Sequence, residues 1–223
     1  ERQPEGSCDP LYDLERALRE SRETAATSIL QGEMVERGIQ VYARLGLICQ
    51  AHTSFIPPDG DCLWSCFARS RNCKLKDEIL SAEAFSLRMR AVSKAIDVIT
   101  KMDENNFEEV QKFTEAATRE ELINEITRYM QSGTYSGKMG DLLPYIGASF
   151  LGQPLLTVVL TKDGPYCTYA DPSFDKFGGQ EEVQCPCVTV QSGNHYEDLL
   201  LQGESKEDAR QLFIKLKSGT TTA

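Results

Sequence analysis

Histidine is scarce in this sequence, whose 223 residues include only two, His52 and His195. The sequence also lacks a long hydrophobic segment, since no apolar stretch approaches the roughly 20 residues needed to cross a membrane. We recognise no signal peptide, internal repeat or low-complexity tract. We therefore expect a globular protein without a membrane segment, in which very few side chains can act as a general base near neutral pH.

Basic residues are outnumbered, because 24 lysines and arginines stand against 34 aspartates and glutamates and give a formal net charge of -10. This excess argues against a nucleic-acid partner bound through its phosphates and is compatible with a basic partner. With 223 residues, 40% of them hydrophobic, the chain can form one domain with a buried core, with or without a short appendage. We expect a monomer that does not bind nucleic acid.

Eight cysteines would allow a disulfide framework in a secreted protein, but a chain of this length does not depend on one. A reducing compartment is the simpler interpretation, so we expect the cytoplasm, or the host cytosol if the protein is a pathogen effector. Cys185 and Cys187 flank a proline and resemble a pair of metal ligands, but few histidines are available to complete a zinc site. We predict no metal and no cofactor.

Helical patterns occupy the first two thirds of the chain. Apolar residues at helical spacing indicate one or two helices within 10–37, while 39–49 fits either a short strand or the end of the preceding helix. A helix is predicted over 77–102, with Ser81 as a possible start. The segment 118–121 (Thr-Arg-Glu-Glu) is a capping box and predicts a helix that runs to about Met130.

Strand patterns follow, separated by glycine, proline and aspartate turns. The predicted strands are 155–160, 166–170, 183–190 and 194–201. The segment 204–217 fits a helix or a return strand, and 218–223 fits a frayed tail. Helices followed by strands indicate an α+β domain.

The segment 59–64 (Asp-Gly-Asp-Cys-Leu-Trp) places a thiol where a glycine turn leads into an amphipathic helix. Unpaired backbone N–H groups and the partial positive charge of a helix N-terminus favour a thiolate and can also hold an oxyanion. Taken alone, a cysteine such as Cys62 is more often a buried core residue than a nucleophile. The late histidine His195 lies at the start of a predicted strand, and this pairing is typical of papain-like Cys-His chemistry. His52 lies in a loop without a recognisable motif.

These residues resemble the ovarian-tumour (OTU) family of cysteine proteases, which are mostly deubiquitinases. The family's signature is Asp-Gly-(Asp/Asn)-Cys-Leu-aromatic, followed late in the chain by His-aromatic-(Asp/Asn). The segment 59–64 matches the first block fully, whereas 195–197 (His-Tyr-Glu) departs from the second at Glu197. A third segment, 135–143, is similar to the family's aromatic-x-Gly stretch before a helix. The resemblance spans about residues 55–201.

The resemblance implies a papain-like OTU fold, with a central, mostly antiparallel sheet between helical regions and the nucleophile at a helix N-terminus. It implies a helical cap at 1–50, a catalytic domain at 51–217 and a flexible tail at 218–223. Gly137 and Tyr196 are candidates for the substrate cleft, although Tyr196, on the opposite strand face from His195, also fits the core. Trp64 fits packing between its helix and the sheet.

The resemblance also implies roles for the site residues. Cys62 would attack a glycine carbonyl and His195 would act as base and acid. The backbone N–H groups of Asp59, Gly60, Asp61 and Cys62 would form the oxyanion hole.

The residue that orients His195 is left open between three acids. Glu197 is two residues further along the strand, on the same face, at the position where the family carries Asp or Asn. It is one methylene longer, and we expect it to reach Nδ1 of His195. The alternatives are Asp198, and Asp59 from the nucleophile loop.

The implied function is hydrolysis of the isopeptide or peptide bond after the C-terminal Gly-Gly of ubiquitin, through a thioester, with ubiquitin or polyubiquitin as partner. Two alternatives remain: a binding module for ubiquitin or a ubiquitin-like modifier that has lost most or all catalysis, and an OTU-like protease for another modifier. The intact pair of Cys62 and His195 favours an enzyme, while the unusual Glu197 is compatible with a weakened one.

Overall fold

The computed structural model describes residues 28–52, 54–172 and 185–219. The helical prediction for residues before 28, part of the predicted strand 183–190 and the tail after 219 lie outside the described residues. Within the described part of the chain, no helix is long and apolar enough to cross a membrane.

The helices are 28–44 (α1), Cys62–Arg71 (α2), Asp77–Lys101 (α3), Glu104–Gln111 (α4), Arg119–Ser132 (α5), Leu142–Leu151 (α6) and Ser205–Lys217 (α7), with a short 3₁₀ helix at Gly137–Met139. Their ends follow local chemistry. The side chain of Thr118 accepts a hydrogen bond from the N–H of Glu121 and so caps α5, as the capping box predicts. Gly133 ends the same helix in the left-handed conformation.

The strands are Cys49–Ala51 (β1), Leu155–Thr161 (β2), Gly164–Ala170 (β3), Cys187–Ser192 (β4) and His195–Leu201 (β5). They form one sheet in the order β1-β5-β4-β2-β3. Only β2 and β4 pair in parallel, and the other three pairings are antiparallel. The α+β class and the mostly antiparallel sheet are therefore as predicted.

Both faces of the sheet are covered by helices. One buried cluster joins α2, α3, α5 and α6 to sheet residues such as Leu155 and Cys187. The other joins α1 and α7 to the alternate residues Leu156 and Val188. Because neighbouring residues of a strand point to opposite faces, the same strands supply both cores.

Several sequence-based boundaries need correction. Ser81 does not start α3, which begins at Asp77, where two acidic residues in the first turn complement the helix dipole. The segment 39–49 is divided, because α1 continues to residue 44 and β1 begins at Cys49. The segment 204–217 is a helix, and strand β4 runs from Cys187 to Ser192 rather than ending at 190. The boundary proposed between 50 and 51 falls inside β1.

Candidate active site

Cys62 is the first residue of α2, so its thiol lies at the end of the helix where backbone N–H groups are unpaired. The residue is 5% exposed. Its Sγ lies 3.7 Å from the carbonyl oxygen of Asn194, to which the neutral thiol donates a weak hydrogen bond. Asn194 immediately precedes His195, and this contact therefore joins the nucleophile helix to the turn before β5.

Gly60 forms the turn before the nucleophile and has a φ of 83°. A Cβ at this position would lie 1.9 Å from the carbonyl oxygen of Gly133, at the end of α5. Both the backbone conformation and the space therefore require glycine here. The side chain of Asp59 accepts a hydrogen bond from the N–H of Asp61 at 2.9 Å and closes the same turn.

Tyr129 of α5 supports this loop through hydrogen bonds. Its hydroxyl accepts a hydrogen bond from Nε1 of Trp64 at 2.7 Å and donates one to the carbonyl oxygen of Gly60 at 3.0 Å. Burial raises the pKa of Tyr129, so that its hydroxyl stays protonated as a donor. Trp64 is fully buried, and its hydrogen bond to Tyr129 makes it part of this support.

Arg88 of α3 supplies a second support. Its Nε lies 3.0 Å from Oδ1 of Asp61, and its guanidinium lies over the ring of Tyr129, 5.6 Å from the centroid. Burial raises the pKa of Asp61, while the charge of Arg88 opposes that rise. The residue that precedes the nucleophile is thus fixed by a buried ion pair.

His195 is the first residue of β5, directly after the turn at Gly193 and Asn194. Its Nε2 lies 3.0 Å from Oε1 of Glu197. Its Nδ1 is buried and has no well-aligned hydrogen bond within the described residues. Resting active sites often hold such catalytic contacts in a loose geometry.

The protonation of His195 follows from three influences. Burial alone would lower its pKa, but the interactions with Cys62 and Glu197 raise the pKa of His195 to about 9. Since Glu197 occupies Nε2, the interaction with Cys62 falls to Nδ1. The imidazole is therefore protonated at neutral pH, and a cation of this kind beside a thiol favours the thiolate.

The three candidate acids have different partners. Glu197 is the one whose carboxylate contacts His195, although it bonds to Nε2 and not, as was expected from the sequence, to Nδ1. Asp59 is engaged by the N–H of Asp61. The oxygens of Asp198 lie 2.6 Å from His52 and 3.3 Å from Arg69, so this acid belongs to a separate buried cluster.

A cleft of about 270 Å³ opens beside Cys62. Tyr196, one of the two residues predicted to line the substrate cleft, does so, whereas Gly137 is not among the lining residues. In the segment after α5 the wall is formed instead by Tyr135, Gly140 and Asp141. Sequence reasoning placed this segment at the site through its resemblance and chose Gly137 within it. No sequence signal pointed to Tyr129, which also lines the cleft.

Cys66 is the described cysteine nearest to Cys62 in the sequence, and it lies in the core. Cys66, one helical turn after Cys62, is fully buried, and burial raises the pKa of its thiol well above the usual range. In the described ranges, no group of three or more histidine, cysteine or acidic side chains is placed to hold a metal ion.

The fold resembles that of OTU domains. The OTU domain of OTUD1 is similar at a TM-score of 0.45 and 15% identity, over 74% of this chain and 93% of that chain. The OTU protease of Dera Ghazi Khan virus is similar at a TM-score of 0.44 and 11% identity, over 70% of this chain and 82% of that chain. An OTU domain in complex with ubiquitin is similar at a TM-score of 0.43 and 14% identity, over 77% of this chain and 88% of that chain. No protein-family model and no curated protein matches the chain.

Proposed function

We propose that this protein is a cysteine-dependent deubiquitinase, which hydrolyses the isopeptide or peptide bond after the C-terminal Gly-Gly of ubiquitin. The observation that carries the chemistry is the arrangement of three residues. Cys62 lies at a helix N-terminus, the imidazole of His195 interacts with it, and the far nitrogen of that ring bonds to Glu197 at 3.0 Å. Nucleophile, base and orienting acid together form a complete set for acyl transfer.

In the first half of the reaction, the thiolate of Cys62 attacks the carbonyl carbon of the terminal glycine. The resulting tetrahedral oxyanion collapses to a thioester when His195 gives the proton on Nδ1 to the departing amine. In the second half, the neutral imidazole takes a proton from water, whose oxygen attacks the thioester. The acid product leaves, and Cys62 returns to the thiolate beside a protonated His195.

The oxyanion needs backbone donors at the nucleophile loop. Of the four amides expected there, the N–H of Asp61 already donates to Asp59. The amides of Cys62, Gly60 and Asp59 are left for this role. Tyr129 and Arg88 support the loop from α5 and α3, so that these donors are in place before the charge develops.

The substrate class comes from the motif resemblance. The position of the cleft is compatible with it, because Gly60, Leu63, Asn194 and Tyr196 line the space together with Cys62. Asp141 also lines this cleft and offers a carboxylate to a basic side chain of the substrate.

Hydrolysis of ubiquitin carrying a C-terminal amide-linked fluorophore tests the proposal. We expect turnover by the wild type and by Cys73→Ala, which changes an exposed cysteine, and none by Cys62→Ala. Wild type that binds ubiquitin without turnover would contradict catalysis and point to a binding module. Turnover only with another ubiquitin-like modifier would contradict the substrate.

A further inference from the structure

Helix α1 is docked closely on the catalytic sheet. At Gly38 an added Cβ would lie 2.8 Å from Cβ of Val190, so the helix approaches β4 more closely than a side chain would permit. The hydroxyl of Tyr42 donates a hydrogen bond to the carbonyl oxygen of Thr189 at 3.1 Å. These contacts fix the position of α1 along β4, and with it the position of the residues one and two turns earlier.

One such residue is Gln31, whose side chain reaches the catalytic histidine. Its amide nitrogen lies 3.5 Å from Nε2 of His195. Its Oε1 is buried and has no hydrogen-bond partner among the described residues. An unpaired buried amide oxygen is costly, and in this orientation it is the nitrogen of the same amide that faces Nε2 of His195.

Whether Nε2 of His195 carries a hydrogen decides which end of the Gln31 amide should face it. Because Oε1 of Glu197 lies 3.0 Å from Nε2 and a carboxylate only accepts, Nε2 carries the hydrogen. An amide N–H facing this hydrogen would be repelled. Rotation of the amide by half a turn exchanges its two ends, so that the oxygen accepts from Nε2 and leaves no buried acceptor unpaired.

We propose that Gln31 is a positioning residue for His195, whose amide oxygen shares the hydrogen of Nε2 with Glu197. The inference rests on the proposed function. Two acceptors from different elements, β5 and α1, hold the ring more firmly than one, and they keep Nδ1 directed at Cys62. Helix α1 is then part of the catalytic apparatus and not only a cover for the sheet.

The titratable side chains near the His195 ring each have an identified partner. Cys62 on α2 and Glu197 on β5 interact with it directly, and both favour its protonated form. Asp198, although adjacent to Glu197 in the chain, pairs with His52 and Arg69. Gln31 and Glu197, together with His52 and Asp198, line a cavity of about 280 Å³.

The test uses three variants of the full chain and reads the ionisation of His195 by NMR. Gln31→Met keeps the length and removes the acceptor, Gln31→Glu keeps an acceptor and adds charge, and Gln40→Met makes the same change at an exposed position of the same helix. The chain has only two histidines, so both imidazoles can be followed separately.

We expect the pKa of His195 to fall by roughly 0.5 to 1 in Gln31→Met, to rise in Gln31→Glu, and to stay unchanged in Gln40→Met, since one hydrogen bond to the protonated ring is lost or strengthened. In Gln31→Met, which adds no charge to the cavity that His52 also lines, the change should be confined to His195. On the ubiquitin substrate, Gln31→Met should lose roughly fivefold in kcat with KM unchanged, and Gln31→Glu should retain activity.

An unchanged pKa of His195 in Gln31→Met would overturn the proposal, and so would a fall in Gln31→Glu. Equal shifts of both histidines would also overturn it, because they would show that α1 as a whole had moved. The NMR titration needs no ubiquitin. A wild-type protein without activity on ubiquitin would therefore contradict the proposed function while the coupling of Gln31 to His195 is still measured.

Discussion

Glu197 and His195 lie on the same face of β5, two residues apart, with Oε1 of the acid 3.0 Å from Nε2 of the imidazole. Because the carboxylate of Glu197 occupies Nε2, the other ring nitrogen, Nδ1, is left for Cys62. An acid that looks like a departure from the family's motif thus forms the contact that the mechanism requires.

The assignment of the acid predicts different results for two substitutions. Glu197→Gln removes the charge that stabilises the imidazolium, and we expect kcat to fall by about 100-fold or more. Asp59→Asn retains an oxygen that can accept from the N–H of Asp61, and we expect activity within about threefold of wild type. Initial rates on a ubiquitin fluorophore substrate measure both. The reverse order of effects would make Asp59 the orienting acid.

The raised pKa of His195 predicts an alkaline limit to activity. Leaving-group protonation needs the imidazolium, so kcat/KM should decline as the pH rises through about 9, the folded-state pKa of His195. In Glu197→Gln this limb should move to lower pH, because the carboxylate no longer favours the cation. A pH–rate profile with the same alkaline limb in both proteins would rule out His195 as the group that titrates.

The same shift couples His195 to stability. Its folded-state pKa of about 9 lies above the unfolded value of 6.5, so the protonated ring stabilises the fold. This contribution is fully present below about pH 6.5 and is lost as the pH rises through 9. Urea unfolding between these limits should show a smaller pH-dependent loss in His195→Gln than in wild type. Equal losses would contradict the coupling.

Tyr129 should matter to both stability and rate. Tyr129→Phe leaves the buried Nε1 of Trp64 without its acceptor and frees the carbonyl of Gly60, and we expect the free energy of unfolding to fall by about 1–3 kcal/mol. The loss of loop support should also lower kcat. Tyr166→Phe, at an exposed tyrosine of β3, is the matched control and should change neither quantity. If both variants behave alike in urea unfolding, the hydroxyl of Tyr129 does not hold the loop.

Gly60→Ala should disrupt the nucleophile loop. The new Cβ would meet the carbonyl oxygen of Gly133, and the positive φ is unfavourable for alanine. Gly203→Ala separates the two causes, since Gly203 has a φ of 56° but nothing within 4 Å of an added Cβ. We expect Gly203→Ala to cost about 1–2 kcal/mol in thermal or urea unfolding, and Gly60→Ala to cost more and to abolish activity. Equal costs would show that space at Gly60 is not limiting.

Local sequence patterns predicted much of the fold. The capping box at Thr118 placed the start of α5 correctly because a cap is a local interaction between a side chain and an amide three residues away. Alternating and continuous apolar runs placed the strands within a few residues. The prediction that Ser81 starts a helix was wrong. Serine caps a helix only where the preceding chain is not helical, and α3 is already helical from Asp77.

The supports of the candidate site depend on residues far apart in the chain. Tyr129 and Arg88 act on the loop at 59–62 from other helices, and nothing in their own surroundings marks them. Gln31 reaches His195 across 164 positions of sequence. Motif reasoning pointed to Cys62, His195 and Glu197 but not to the residues that hold them in place, because the latter are defined only by packing.

The most direct test of the account is a ubiquitin probe with an electrophile in place of its C-terminal carboxylate, followed by peptide mapping of the adduct. We predict that wild type gains the mass of one ubiquitin and that the link is at Cys62, while Cys62→Ala does not react and His195→Gln reacts far more slowly. Mapping is essential because the chain has eight cysteines. An adduct at another cysteine, or none on a folded wild-type protein whose exposed Cys73 still reacts with a small alkylating agent, would contradict the account.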